Sequence, residues 1–124
     1  IQGSPHTSNR LWRALNFARA WLSEAHRIHR VFFYHDAVLV ANTLLAPPQD
    51  EMNLTTAWQT LGQDYNLDLC LCVASCLRRG ILNDSEAQRF EKTTSNLAAG
   101  FNISGLGQLI EASLVSDRVI SFGA

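Results

Sequence analysis

Three cysteines fall close together in this chain: Cys70, Cys72 and Cys76. A thiol is a nucleophile only as the thiolate, so its position decides its chemistry. Leu67 to Val73 is an apolar run that predicts a buried strand, and Ala74 to Gly80 predicts a helical turn stopped by Gly80. Cys72 stands near the end of that strand, where a helix begins. A helix N-terminus carries partial positive charge and free N–H groups, and both favour a thiolate. Side chains alternate along a strand, so Cys70 shares the face of Cys72, two residues deeper, as a small buried apolar group. Cys76 falls within the helical turn. An inert reading stands beside the reactive one, because free cysteine is among the most buried residue types.

Other chemistries fit less well. Cys-x-Cys-x3-Cys is not a usual zinc spacing, and His6, His26, His29 and His35 are scattered. No metal ligand set and no cofactor is therefore assigned. Cys72 and Cys76 make a Cys-x3-Cys pair, not the Cys-x2-Cys of thioredoxin-like redox sites. His35-Asp36 has the types of an acid–base pair, but a solvent-facing polar strand end is favoured. Arg78-Arg79 suits either an anionic partner or a solvated helix end. Gly3-Ser4-Pro5 before a helix is a weak anion-binding signal without a phosphate-loop pattern. Gly105-x-Gly107 opens a helix too, and close packing would explain it equally well. Trp12, Trp21 and Trp58 read as core or subunit-interface residues.

The elements that must position these groups alternate. Leu11, Ala14, Leu15, Ala18 and Leu22 recur at helical spacing, with Thr7 or Ser8 as the cap. Ile1-Gln2 before that helix reads as the tail of a first strand whose beginning is absent. Ile28 to Tyr34 predicts a strand apolar on both faces. Ala37 to Leu45 predicts a short helix, and Pro47 to Asp50 a break. Asn53 caps a helix whose face is Leu54, Ala57, Trp58 and Leu61. Asp84-Ser85 starts a short helix through Arg89, and Thr93 to Asn102 gives no clear pattern. Ser104 is expected to cap a last helix bearing Leu106, Leu109, Ile110 and Ser113, and Val119 to Phe122 to form a final strand. The fold class is α/β: a single-domain, three-layer arrangement of a parallel sheet with helices on both faces. Reactive groups in such sheets gather at the carboxyl ends of the strands, which again selects Tyr34-His35-Asp36 and Cys72.

Composition sets the frame. The 124 residues suit one domain, and 47% hydrophobic against 17% charged residues suits one core. A net charge of −1 offers little to phosphates, so direct nucleic-acid binding is not expected. An odd, clustered set of cysteines is not a secreted disulfide framework. No stretch is long enough to span a bilayer and no signal peptide is visible, which points to a cytoplasmic protein.

Several segments together resemble the DsrE/TusD family. They are Val31-Phe32-Phe33-Tyr34, the stretch from Cys72-Val73-Ala74 to Leu77-Arg78-Arg79-Gly80, and Ile103-Ser104-Gly105-Leu106-Gly107-Gln108-Leu109. Pro48-Gln49-Asp50, Ala57-Trp58 and Ala112 to Phe122 fit as well, in order along nearly the whole chain. The resemblance implies a single DsrE/TusD-like domain over residues 1–124 and cytoplasmic sulfur relay. It implies a sulfurtransferase in which the cysteine before Val-Ala, here Cys72, holds sulfur as a persulfide without any cofactor. TusD-like members assemble with TusB- and TusC-like subunits, in a mixed hexamer, and carry sulfur toward 2-thiolation of the tRNA wobble uridine. DsrE-like members join DsrF- and DsrH-like subunits in sulfur oxidation. In either case the partners include a donor and an acceptor protein. Three departures stand out: Ala37 where the family commonly has Gly, the extra Cys70 and Cys76, and the shortened first strand. Two other readings are a non-catalytic scaffold subunit and a thiol redox sensor using Cys72 and Cys76.

Overall fold

A computed structural model describes residues 1–123. The chain opens with helix α1 (Arg10–Ser23), then strand β1 (Val31–Phe33), a 3₁₀ helix (His35–Ala41) and α2 (Leu54–Tyr65). There follow β2 (Leu69–Cys72), α3 (Val73–Arg78), α4 (Asp84–Arg89), β3 (Phe101–Ser104) and α5 (Gly107–Val115). The three strands form a parallel sheet in the order β1-β2-β3. Val31, Leu69 and Phe101 stand in one row across it, and Phe33, Leu71 and Ile103 in another. The expected architecture, a parallel sheet flanked by helices, is the one observed.

The two faces are filled differently. Val31, Phe33, Leu69, Leu71 and Phe101 enter the main core, against Leu11, Leu15, Ala18 and Leu22 of α1 and Trp58 and Leu61 of α2. The helical spacing read in α1 is thus its buried face. Phe33 sits at the centre, with Trp58 edge-on at 5.3 Å and Phe101 at 5.7 Å between ring centroids. The opposite face holds a small cluster, Phe32, Cys70 and Cys72, on which Tyr34 and Leu109 pack.

Local chemistry explains the helix ends. The Asn53 side chain accepts from the Thr56 N–H at 3.1 Å, capping α2 as anticipated. Asn83 does the same for α4 through the Glu86 N–H, one residue before the expected start. The segment ending α3 turns through Gly80 at φ 71°, a conformation costly to other residues. Gly62 has another role: a Cβ there would meet Leu69 Cδ1 at 2.9 Å, so α2 lies directly on β2.

Several expectations need correction. α1 begins after Asn9, without a side-chain cap; Ser8 Oγ only accepts from the Arg10 N–H at 3.4 Å. Residues from Ala37 to Ala41 form part of a 3₁₀ helix that starts earlier, at His35. Phe101–Ser104, split between an unread stretch and a presumed cap, is strand β3. Ser104 therefore caps nothing; Leu106 precedes α5. Val119 to Phe122 is irregular rather than a strand, with Val119 and Ile120 exposed. The same region still touches the sheet margin. Ile1 donates to Phe32 O at 2.7 Å and accepts from the Tyr34 N–H at 2.9 Å, and the Gln2 N–H donates to Phe122 O at 2.8 Å. These bonds follow strand geometry along the edge of β1 but do not extend far enough to form strands.

Substitutions at two positions test this packing. Trp58 is 1% exposed and its indole N–H has no protein partner among the described residues. Trp58→Ala is expected to cost about 3–5 kcal/mol in chemical denaturation. Trp58→Phe should cost clearly less, because it also removes an unpaired buried donor. Asn53→Ala is expected to cost about 1 kcal/mol by the same measurement, through loss of the α2 cap.

Candidate functional site

Cys72 is the last residue of β2 and the residue at which α3 begins, with extended backbone at φ −65°, ψ 122°. The parallel pairing places Ser104 of β3 opposite it. Its side chain lies on the thinly covered face with Phe32 and Cys70, and it is 2% exposed. Cys72 is the N-cap residue of α3, and its side chain makes no capping hydrogen bond to that helix. The strand-end, helix-start position read from the sequence is therefore where the structure puts this thiol.

The other two thiols meet different surroundings. Cys70 lies deeper on the same face, and burial pushes its thiol up, against an opposing hydrogen bond with Ser104. Cys76 is fully buried in the main core and belongs to a different cluster from Cys72. Burial pushes its thiol up to about 12. Cys70 and Cys76 are thus held as thiols at neutral pH, as small apolar side chains. All three cysteines are free. The separation of Cys72 and Cys76 into two clusters weighs against their working as a redox pair.

The carboxyl end of β1 is tied to α3 beside Cys72. His35 has φ 52°, and its N–H donates to Ser75 Oγ at 3.0 Å. Ser75 is 2% exposed, so this bond satisfies a buried hydroxyl as well as a strained turn. Asp36 accepts from Arg79 Nε at 2.7 Å, and Arg79 also donates to Ser75 O at 3.2 Å. Asp36 is therefore engaged by Arg79, while the His35 ring lies 4.1 Å from that of Tyr34. The solvent-facing reading of His35-Asp36 fits this arrangement; an acid–base pair does not. Arg79 is a clamp between two elements, and Arg78 is exposed at the end of α3. The positive φ near the site falls at His35, not at Ala37, which is buried in the 3₁₀ helix.

The remaining candidates separate from Cys72. Ser4 is buried, its Oγ accepting from the His6 N–H and its carbonyl from Ser8, so Gly3-Ser4-Pro5 closes on itself. A Cβ at Gly105 or Gly107 would meet nothing within 4 Å, which removes close packing as their reason. Trp58 is core as expected; Trp12 is partly exposed, and Trp21 stacks on Phe17 and His26. Among the described residues, no three His, Cys, Asp or Glu side chains come together as a metal site. No helix is long and apolar enough to cross a membrane. A groove of 1140 Å³ runs between the β1 edge, α1 and the C-terminal segment, reaching Phe32, Tyr34 and Leu109 but not the cysteines.

Ser75, Ser104 and Leu109 as neighbours of the site were not anticipated. Ser104 carries a signal in hindsight, since the Phe101–Ser104 segment ends in the Ile-Ser that precedes two glycines at a strand end. Ser75 carries none, because its partner is a backbone N–H 40 positions away.

Comparisons with known proteins bear on the family and the fold. The model of the DsrE/DsrF-like family matches residues 1–122. DsrE of Allochromatium vinosum is 43% identical over 99% of this chain and 95% of its own length. Sulfurtransferase TusD of Salmonella enteritidis is 45% identical over 98% of this chain and 95% of its own. The crystal structure of the ychN protein from E. coli superposes with a TM-score of 0.76 over 97% of this chain and 92% of that one. At 22% identity, that structure speaks for the fold alone. A family match along nearly the full length, joined to relatives this similar over the same span, establishes that the chain belongs to the DsrE/DsrF-like family.

Proposed function

We propose that this protein carries sulfur as a persulfide on Cys72, receiving it from one protein cysteine and passing it to another. The chain is a sulfurtransferase: relatives of that name match it at 45% identity from end to end. The observation that carries the residue assignment is the contrast among the three thiols. Cys72 alone sits at the junction of β2 and α3, while burial holds Cys70 and Cys76 protonated.

The chemistry is two thiol exchanges. The Cys72 thiolate attacks the outer sulfur of a donor persulfide, R–S–SH. The donor S–S bond breaks and its electron pair leaves on the donor thiolate, R–S⁻, as Cys72–S–SH forms. An acceptor thiolate then attacks the outer sulfur of Cys72–S–SH, and Cys72 departs as thiolate. One sulfur atom moves at each step with no net oxidation, so no cofactor is needed. Both steps depend on the thiolate fraction of the attacker, the stability of the leaving thiolate, and access.

The protein acts in a sulfur relay together with other subunits. We place it as the TusD-like subunit beside TusB- and TusC-like chains in a mixed hexamer, in the cytoplasm, on the route to tRNA wobble-uridine 2-thiolation. A DsrE-like place beside DsrF- and DsrH-like chains is the alternative, and the resemblance to both TusD and DsrE proteins supports keeping it. The whole span 1–124 serves as one carrier domain. Its net charge of −1 supports contact with the RNA pathway through partner proteins rather than directly. The 2% exposure of Cys72 favours a second reading, a scaffold subunit that presents a partner's cysteine.

Loading decides between them. Incubated with a persulfide-bearing donor and no reductant, the wild-type protein should gain one sulfur on the Cys72 peptide, read by mass spectrometry. Cys72→Ser should gain none, and Cys76→Ala should load as the wild type does. No uptake by the wild type from a competent donor would leave the scaffold reading in its place, and undiminished uptake by Cys72→Ser would move the carrier role to another cysteine.

A further inference from the structure

Cys72 as a carrier must meet sulfur borne on another protein, yet its side chain is covered. Two side chains pack over the Phe32–Cys70–Cys72 cluster, Tyr34 from the end of β1 and Leu109 from α5. α5 is held unlike the other helices. None of its residues is buried, and Ile110, Leu114 and Val115 are 60%, 80% and 59% exposed. Its polar attachment is concentrated on one side chain. Arg30 Nη1 donates to Gln108 O at 2.7 Å and to Glu111 Oε2 at 2.8 Å, with His29 Nε2 at 3.5 Å from the same carboxylate. Arg30 is itself anchored by its Nε to Asp68 at 2.6 Å, just before β2. Arg30 is thus a fixed post on the sheet, and α5 hangs from it.

The connection to β3 runs through two glycines. Gly105 and Gly107 lie between Ser104, opposite Cys72, and the body of α5. An added Cβ at either would touch nothing within 4 Å, so packing does not require glycine there. What glycine contributes is backbone freedom. An ion pair between partly exposed groups holds weakly, and α5 gives up little buried surface when it moves. Lifting α1 or α2 would instead open the main core.

We propose that α5 is a lid over Cys72, latched by Arg30 on Gln108 and Glu111 and hinged at Gly105–Gly107, which opens to admit a sulfur-bearing partner. The inference rests on the reading of Cys72 as the reactive thiol. Its test is separate: the rate at which iodoacetamide alkylates each cysteine of the folded protein, by peptide mass spectrometry at fixed pH. Glu111→Gln weakens the latch and should speed alkylation of Cys72 roughly two- to fivefold. Leu109→Ala thins the cover without touching the latch, and should speed it at least as much. Cys76, in the main core, should stay unlabelled and so reports global unfolding. Equal Cys72 rates in all three proteins, or Cys76 labelling in step with Cys72, would overturn the lid. Faster Cys72 alkylation without sulfur loading in any variant would support the lid and remove the carrier reading instead.

Discussion

β2 must satisfy its backbone hydrogen bonds along both edges and bury its side chains on both faces, and the rest of the molecule is arranged around that demand. Its four residues are all buried, and both neighbours pair with it in parallel. Alternation sends Leu69 and Leu71 into the main core and Cys70 and Cys72 to the thin face. The burial that holds β2 in register therefore also fixes where Cys72 emerges. A slip by one residue would put Leu69 and Leu71 on the thin face and both thiols in the main core.

The end of the sheet is held by polar groups instead. His35, Asp36, Ser75 and Arg79 join the turn after β1 to α3, using one buried hydroxyl, one strained backbone position and one ion pair. This clamp keeps the start of α3 against the strand ends. The ion pair is partly exposed and contributes modestly; the buried Ser75 bond is the stronger constraint, because breaking it would strand two polar groups.

Much of this was readable from side-chain pattern, and the failures have a common cause. α1, α2, β1 and β2 bury long, regular apolar sets, and the Asn53 cap acts through its own next turn. Cys72 at a strand end followed from the same kind of run. β3 escaped because only Phe101 of its four residues is buried, so alternation had almost nothing to report. Its identity lies in backbone pairing with β2, which side-chain types do not encode. Val119 to Phe122 failed in the opposite sense: apolar and β-branched, it reaches the sheet margin with only one backbone bond among the described residues, at Phe122. Gly105 and Gly107 invited a packing argument that open space around them removes. The latch between Arg30 and Glu111 joins residues 81 apart and had no local signature.

Keeping three thiols within one strand-to-helix segment poses a chemical hazard for a persulfide carrier. A second thiolate within reach of Cys72–S–SH would attack the sulfur attached to the protein, expel the outer one as hydrosulfide and leave an internal disulfide. The sulfur would be lost before an acceptor arrived. Cys76, four positions on, is the obvious offender by sequence. The fold turns it into the main core, where burial holds its thiol up near 12, so the thiolate that the side reaction needs is scarcely formed at neutral pH. Cys70 is raised in the same direction by burial. The same apolar packing that stabilises the sheet thus silences two nucleophiles. It also leaves the third at the strand end where α3 begins, under Leu109 of α5.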